Sequence, residues 1–397
     1  MCRWLCVVVV AASWAEPARA YELTDDLQAY GYLQLWATAL EQVAEVRGWR
    51  QSPSGEHAAD TATGFSVNRA RVGTEVRLLD GFLQVGGLLK VERSVEPLDM
   101  WFRVSPWRAL GVMAGQFRVP SSWENMDDDR GLDFLHRSQL ANAVADYALS
   151  RAFYTAAQNA GNRSYGRDLG VALLGTVDLG PVPLRYRLMA GNGLGANLWV
   201  GGGSNRQHAL TNPQQLYYGG RVEVEPVPGW LSLGAHGSTN RHDNMALGGS
   251  RMVLDLRRES WSADVRLRVP PLGVRFTAAA GGGKIRDDYY GDGRDDLRYV
   301  GGEARAVWRV SSVLREVLPW RVPTGHDVDL GLRYDVLSTE VDESGSPTRH
   351  HQWTAGMAWT WRTLLKAQLN WVARRTVDPA QPDLDDDVVA LSLQAAL

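Results

Sequence analysis

Over most of the chain apolar and polar residues alternate with a period of two. That is the repeat of a β-strand, in which neighbouring side chains point to opposite faces. Between 257 and 269 one face carries Trp261, Ala263, Val265 and Leu267, and the other Ser262, Asp264, Arg266 and Arg268. Val328, Leu330, Leu332, Tyr334 and Val336 likewise oppose Asp329, Arg333 and Asp335, and Leu365, Ala367, Leu369 and Trp371 oppose Lys366, Gln368 and Asn370. Sixteen such segments are predicted, at 27–39, 64–78, 81–93, 97–106, 109–118, 167–179, 182–192, 214–226, 229–240, 257–269, 272–285, 296–311, 326–338, 350–362, 364–376 and 386–397. The segments 81–93 and 109–118 alternate poorly, so their facing stays open.

The links between segments alternate in length. Short ones rich in turn formers, such as Asp80-Gly81, Gly180-Pro181 and Arg362-Thr363, follow most even strands. Long polar ones, at 40–63, 119–166, 193–213, 241–256 and 339–349, mostly follow odd strands. Exceptions are a long even link at 312–325 and a short odd one at 94–96. An even number of antiparallel strands with tight turns at one end and long loops at the other describes a transmembrane β-barrel. A soluble sandwich also alternates. Here, however, the apolar faces and strand ends carry Phe102, Trp107, Trp230, Trp308, Trp320, Trp361 and Trp371, in the manner of interfacial girdles. The fold class expected is therefore all-β: a 16-stranded antiparallel barrel over 21–397.

Composition agrees with that expectation. The 397 residues are 45% hydrophobic and 9% aromatic, too apolar for a disordered chain. A net charge of −3 gives no basic signal for nucleic acid. Arg3, the apolar run 4–14 and Ala18-Arg19-Ala20 have the form of an export signal over 1–20, with Tyr21 as the first mature residue. Cys2 and Cys6 both fall inside it, which leaves the mature chain without disulfide or thiolate chemistry. An exported barrel implies an outer membrane, with lipid and lipopolysaccharide as its surroundings.

The link 119–166, about 48 residues long, exceeds the usual loop of a compact fold and asks for a functional explanation. Its stretch 133–154 spaces Phe134, Leu140, Val144, Tyr147 and Ala148 three or four apart, as a helix does. A loop of this length after the fifth strand is expected to fold into the lumen and narrow it; the alternative is an external flap.

Four segments resemble the phosphate-selective porin O and P family in order and spacing. They are Phe65-Ser-Val-Asn-Arg-Ala-Arg71-Val-Gly-Thr-Glu75, Gly115-Gln-Phe-Arg-Val-Pro120, Arg130-Gly-Leu-Asp-Phe-Leu-His-Arg-Ser138 and Arg167-Asp-Leu-Gly-Val171. The resemblance covers about residues 30–177; the second half agrees only in pattern and strand count. It implies a homotrimeric outer-membrane channel with its third external loop folded inward, admitting phosphate, pyrophosphate or other small anions.

By parity, the lumen faces carry Arg69, Arg71, Arg77, Arg103, Arg185, Arg187, Arg221, Arg266, Arg268, Arg275, Arg305, Arg309, Arg333, Arg374 and Lys366. Against these fifteen cations stand seven acids: Glu75, Asp99, Glu223, Asp264, Glu303, Asp329 and Asp335. A basic aqueous lumen bounded by low dielectric attracts anions, and guanidinium forks suit phosphate. In the loop, Arg118, Arg130, Arg137 and Arg151 are the candidates for a constriction. Arg118 has Glu124, and Arg130 has Asp127 or Asp133, as alternative partners. Arg266 with Asp264, or Arg305 with Glu303, could instead form the internal pairs of a weakly selective diffusion pore.

Other chemistry finds little footing. No Gly-x-Ser-x-Gly elbow occurs, and His236 near Ser232 is the one Ser/His neighbourhood on a strand that a barrel hydrolase could use. Gly281-Gly-Gly-Lys284 lacks the spacing of a phosphate-binding P-loop. The acids of 287–296 lack EF-hand order and read as a solvated loop, bridged to lipopolysaccharide by divalent ions. Outside the channel class, the alternatives for the whole chain are a barrel hydrolase and a structural surface barrel. No cofactor or resident metal is expected.

Overall fold

The computed structural model describes residues 21–24, 26–40, 64–92, 95–145, 166–192, 216–242, 256–287, 297–317, 323–341, 347–377 and 384–396. The export signal, Arg151 and the loop residues from 146 to 165 lie outside them. A short strand β1 (Tyr21–Thr24) pairs with the foot of β2 (Leu27–Leu40). From β2 the chain runs through β3 (Gly64–Leu78), β4 (Leu83–Lys90), β5 (Glu96–Trp107), β6 (Leu110–Arg118), β7 (Arg167–Leu179), β8 (Val182–Gly191) and β9 (Tyr217–Val227). It continues through β10 (Leu231–His242), β11 (Leu256–Val269), β12 (Val274–Asp287), β13 (Leu297–Arg309), β14 (His326–Val341), β15 (Thr348–Trp361), β16 (Leu365–Val377) and β17 (Leu384–Ala396). From β2 onward each strand is antiparallel to the next, and β17 returns to β2, so sixteen strands close into a barrel. At the seam Leu33 lies opposite Ala395. Beside it the Gln34 amide donates to Gln394 Oε1 at 2.6 Å, joining residues 360 positions apart.

Burial is the inverse of that in a water-soluble protein. Outward positions such as Trp261, Leu332, Trp353, Leu369 and Leu391 are exposed, whereas their inward neighbours Asp264, Arg333, Gln352, Asn370 and Ser392 are buried. Closure satisfies the backbone groups between strands, and the apolar outer belt suits a hydrocarbon surround. Among the described residues no helix is long and apolar enough to cross a membrane.

Where alternation failed in the sequence, the strands are irregular. In β6, Gly115 adopts φ 125°, and a Cβ there would lie 2.2 Å from the Met100 carbonyl oxygen, so β6 rides close against β5. Gln116 and Phe117 are both buried after it, and the Gln116 amide donates to the Leu98 carbonyl at 2.8 Å. In β4 the register to β5 slips between Leu88 and Leu89. The loop after β6 contains helices α1 (Trp123–Met126) and α2 (Gln139–Ala145), and the long even link contains a helix α3 (Val310–Val317) at the short-turn end of the barrel.

Candidate functional site

That loop enters the barrel. Ser122 caps α1 (Trp123–Met126) by accepting the Asn125 amide at 3.2 Å, and Ser138 caps α2 (Gln139–Ala145) by accepting the Ala141 amide at 3.1 Å. Between the helices the chain makes a 3₁₀ turn at Asp129–Gly131 and descends to Leu132 and Asp133. There Lys366 Nζ donates to the Leu132 carbonyl at 2.6 Å, and Gln368 donates to the carbonyls of Leu132 and Asp133, both at 3.2 Å. The chain then climbs as α2, whose Leu140, Ala143 and Val144 pack on Tyr299 and Leu337 of the inner wall. Arg258 of β11, absent from the sequence-based set, meets the last turn of α2 by donating to the carbonyls of Ala143 at 3.0 Å and Val144 at 2.9 Å. A cation there complements the negative end of the helix. Residues 119–145 thus line the inside of the wall built by β11–β17; this is the inward fold expected from the length of the link.

Glu124 is the central tie. It is 1% exposed, pairs with Arg305 at 2.7 Å, accepts the Ser138 amide at 2.8 Å and lies 3.9 Å from Arg333. Burial opposes its ionisation, but Arg305 and Arg333 outweigh burial and hold its carboxyl below the usual range. Arg305 also meets Glu303 at 2.6 Å and spreads over the Trp123 ring at 4.7 Å, while Arg333 meets Asp335 at 2.7 Å and lies 5.0 Å from the centre of the Phe134 ring.

Asp129 is a second tie. It pairs with Arg137, with Arg118 at 3.4 Å and with Arg69 at 3.8 Å. Burial works against its charge, yet Arg137, Arg118 and Arg69 keep its carboxyl well below the ordinary carboxylate value. Arg118 also donates to the carbonyls of Asn125 at 2.8 Å and Asp127 at 2.5 Å, and Arg137 to those of Glu124 at 3.0 Å and Asp127 at 3.1 Å. The partner of Arg118 is therefore Asp129 and not Glu124, and that of Arg130 is Asp128, at 2.6 Å, not Asp127 or Asp133.

The remaining wall arginines divide by their partners. Arg71 pairs with Glu92, and Arg275 with Asp133 at 2.7 Å and Asp329 at 3.4 Å. Arg309 meets Asp329 at 3.0 Å, and Arg266 meets Glu223 and, at 3.6 Å, Asp264. Arg221 holds Asp264 through two nitrogens at 2.6 and 2.9 Å, and Arg185 holds Glu223 at 3.0 Å and Glu225 at 2.6 Å. Arg268 is exposed at the short-turn rim of β11. Arg103 and Arg187 make no ion pair among the described residues: Arg103 Nε donates to Ser105 Oγ at 2.7 Å, and Arg187 approaches Met126 Sδ at 3.9 Å.

These two border a cavity of about 480 Å³ at the short-turn end, between α1 and the wall of β5 and β7–β9. Parity finds both arginines in the sequence, but their lack of carboxylates depends on where the loop acids go, and no strand pattern carries that. The Ser/His neighbourhood does not assemble. His236 faces Arg221 and Ser262 in register, and Ser232 lies four residues along the same strand, roughly 13 Å away at the usual rise.

The fold is that of sixteen-stranded porin barrels. An anion-selective porin from Comamonas acidovorans superposes with a TM-score of 0.59 at 14% identity, over 94% of this chain and 99% of that one. OmpT of Vibrio cholerae in a trimer form gives 0.56 at 10%, over 94% and 99%. The outer-membrane channel DcaP of Acinetobacter baumannii gives 0.55 at 11%, over 94% and 97%. No family model matches the sequence, and no curated protein matches it. What these structures share with the expectation drawn from the porin O and P resemblance is the porin architecture.

Proposed function

We propose that this chain is an outer-membrane porin through which small anions, inorganic phosphate among them, diffuse passively. The observation that carries the reading is the pair Arg103 and Arg187, wall cations with no ion pair among the described residues, bordering open space beside the docked loop. In a lumen bounded by low dielectric such charges raise the local concentration of anions. Loop acids cancel Arg305 and Arg275 on the opposite wall and Arg69 on β3, so among the described residues Arg103 and Arg187 leave uncompensated positive charge on the β5–β9 side. Export through an N-terminal signal, lipopolysaccharide around the rim and assembly as a homotrimer complete the reading; one neighbour of the same fold is a trimer form.

A weakly selective diffusion pore is the second reading, favoured by the close internal pairs Arg305–Glu303 and Arg221–Asp264. Reversal potential across a planar bilayer under a KCl gradient separates the two. An anion-selective sign is expected, a value near zero supports the weakly selective pore, and a cation-selective sign rejects anion passage.

A further inference from the structure

Arg187 stands directly opposite Arg221 across β8 and β9, an arrangement of like charges that destabilises a strand pair. Asp264 neutralises Arg221 through both carboxylate oxygens; Arg187 has no such partner among the described residues. Arg103, on the same cavity wall, spends only its Nε on Ser105. A Cβ at Gly111 would lie 3.2 Å from Arg103 Nε, so glycine there leaves the guanidinium its room. Two forks with no carboxylate partner of their own therefore border one cavity, and its lining sets Trp107, Met126 and Leu174 beside Ser105, Thr176 and Glu223. The acid on the rim, Glu223, is already held by Arg185, Arg221 and Arg266.

We propose that this cavity is a binding subsite for small organic carboxylates with an apolar body, Arg103 and Arg187 gripping the carboxylate while Met126, Leu174 and Trp107 cover the remainder. The proposal rests on the porin reading and adds a substrate class to it. A planar carboxylate accepts a guanidinium fork through two parallel bonds. Inorganic phosphate could use the same forks and the hydroxyls of Ser105 and Thr176, but it would leave the apolar part of the lining, Trp107, Met126 and Leu174, in water. An aromatic body removes that lining from water and stacks on guanidinium or indole. The volume of about 480 Å³ leaves ample room for a single-ring acid.

The test is block of chloride current through the full-length protein by benzoate, acetate and inorganic phosphate added in turn at the short-turn side. Benzoate is expected to half-block at a concentration about tenfold below the other two. R103M and R187M, which keep the length and remove the charge, should each raise that concentration about tenfold, the ratio for one lost charge-assisted contact. Saturation-transfer NMR of benzoate on the detergent-solubilised wild type gives a readout that does not depend on whether the variants insert. Absence of that signal overturns the subsite. Equal block by all three anions, or block unchanged in both variants, overturns it while an anion-selective reversal potential leaves the porin reading standing. A cation-selective reversal potential with benzoate block still lost in both variants would reject the anion reading and keep the subsite.

Discussion

Gly331 and Gly356 face each other across β14 and β15, and the Phe134 ring of the inserted loop lies over both. A Cβ at Gly331 would come within 2.9 Å of that ring, and one at Gly356 within 3.1 Å. The wall thus carries a two-residue depression fitted to one aromatic side chain. G331A is expected to lift Phe134 and loosen the loop, at the ~1–3 kcal/mol typical of overpacking. Single-channel conductance should change and become noisier, and F134A in the same chain should restore a quiet trace. Unaltered conductance in G331A would show that the ring does not need the depression.

Replacing Glu124 by Gln removes the charge shared by Arg305 and Arg333 in a place that water scarcely reaches. Breaking one side of a buried pair costs about 3–5 kcal/mol. E124Q should therefore undock the loop, seen as faster tryptic cleavage after Arg130 and Arg137, and add net positive charge to the lumen. The reversal potential should move further in the anion-selective direction. Equal cleavage rates for variant and wild type would contradict the tie.

Acid should release the loop, and only strong acid. Asp129 is held below the ordinary carboxylate range by Arg137, Arg118 and Arg69 despite its burial. A group with a depressed native pKa contributes docking energy that is fully present above its unfolded value near 4 and is lost as pH falls through the lower, native one. Conductance is expected to stay level from neutrality to about pH 4 and to change below it. A change already complete at pH 5 would assign loop docking to other groups.

Lys366 acts at the lowest point of the loop, donating to the carbonyls of Leu132 at 2.6 Å and Arg130 at 3.3 Å. K366M keeps the stem and removes both bonds, about 1–3 kcal/mol if the carbonyls remain dry. The barrel's unfolding temperature should stay put while amide exchange at residues 130–133 rises. A fall in barrel stability without local exchange would place the lysine's role in the wall.

The barrel itself was legible because its strands obey one period: the dyads around Trp261 and Leu332 state inside and outside without ambiguity. It blurred where glycine geometry replaced side-chain pattern, at Gly115, and where register slipped, beside Leu88. Parity also picked out wall arginines such as Arg305 and Arg333, but not what they meet. Their partners, Glu124 and Phe134, come from a loop more than 160 residues distant in sequence, and no local rule links Arg258 to the carbonyls that end α2. Such contacts are set by how a loop settles in three dimensions.

The seam between β2 and β17 has a kinetic meaning. Gln34 and Gln394 bond across it only after everything between them has been laid down, so the ring cannot be completed piecemeal from one end. Until then two unpaired strand edges stand open to any passing chain, and the entropy of bringing such remote segments together must be met before the joining bonds form. Assembly of this protein should accordingly be slow, with closure as its late step, and the unfinished sheet is the form most in need of an escort.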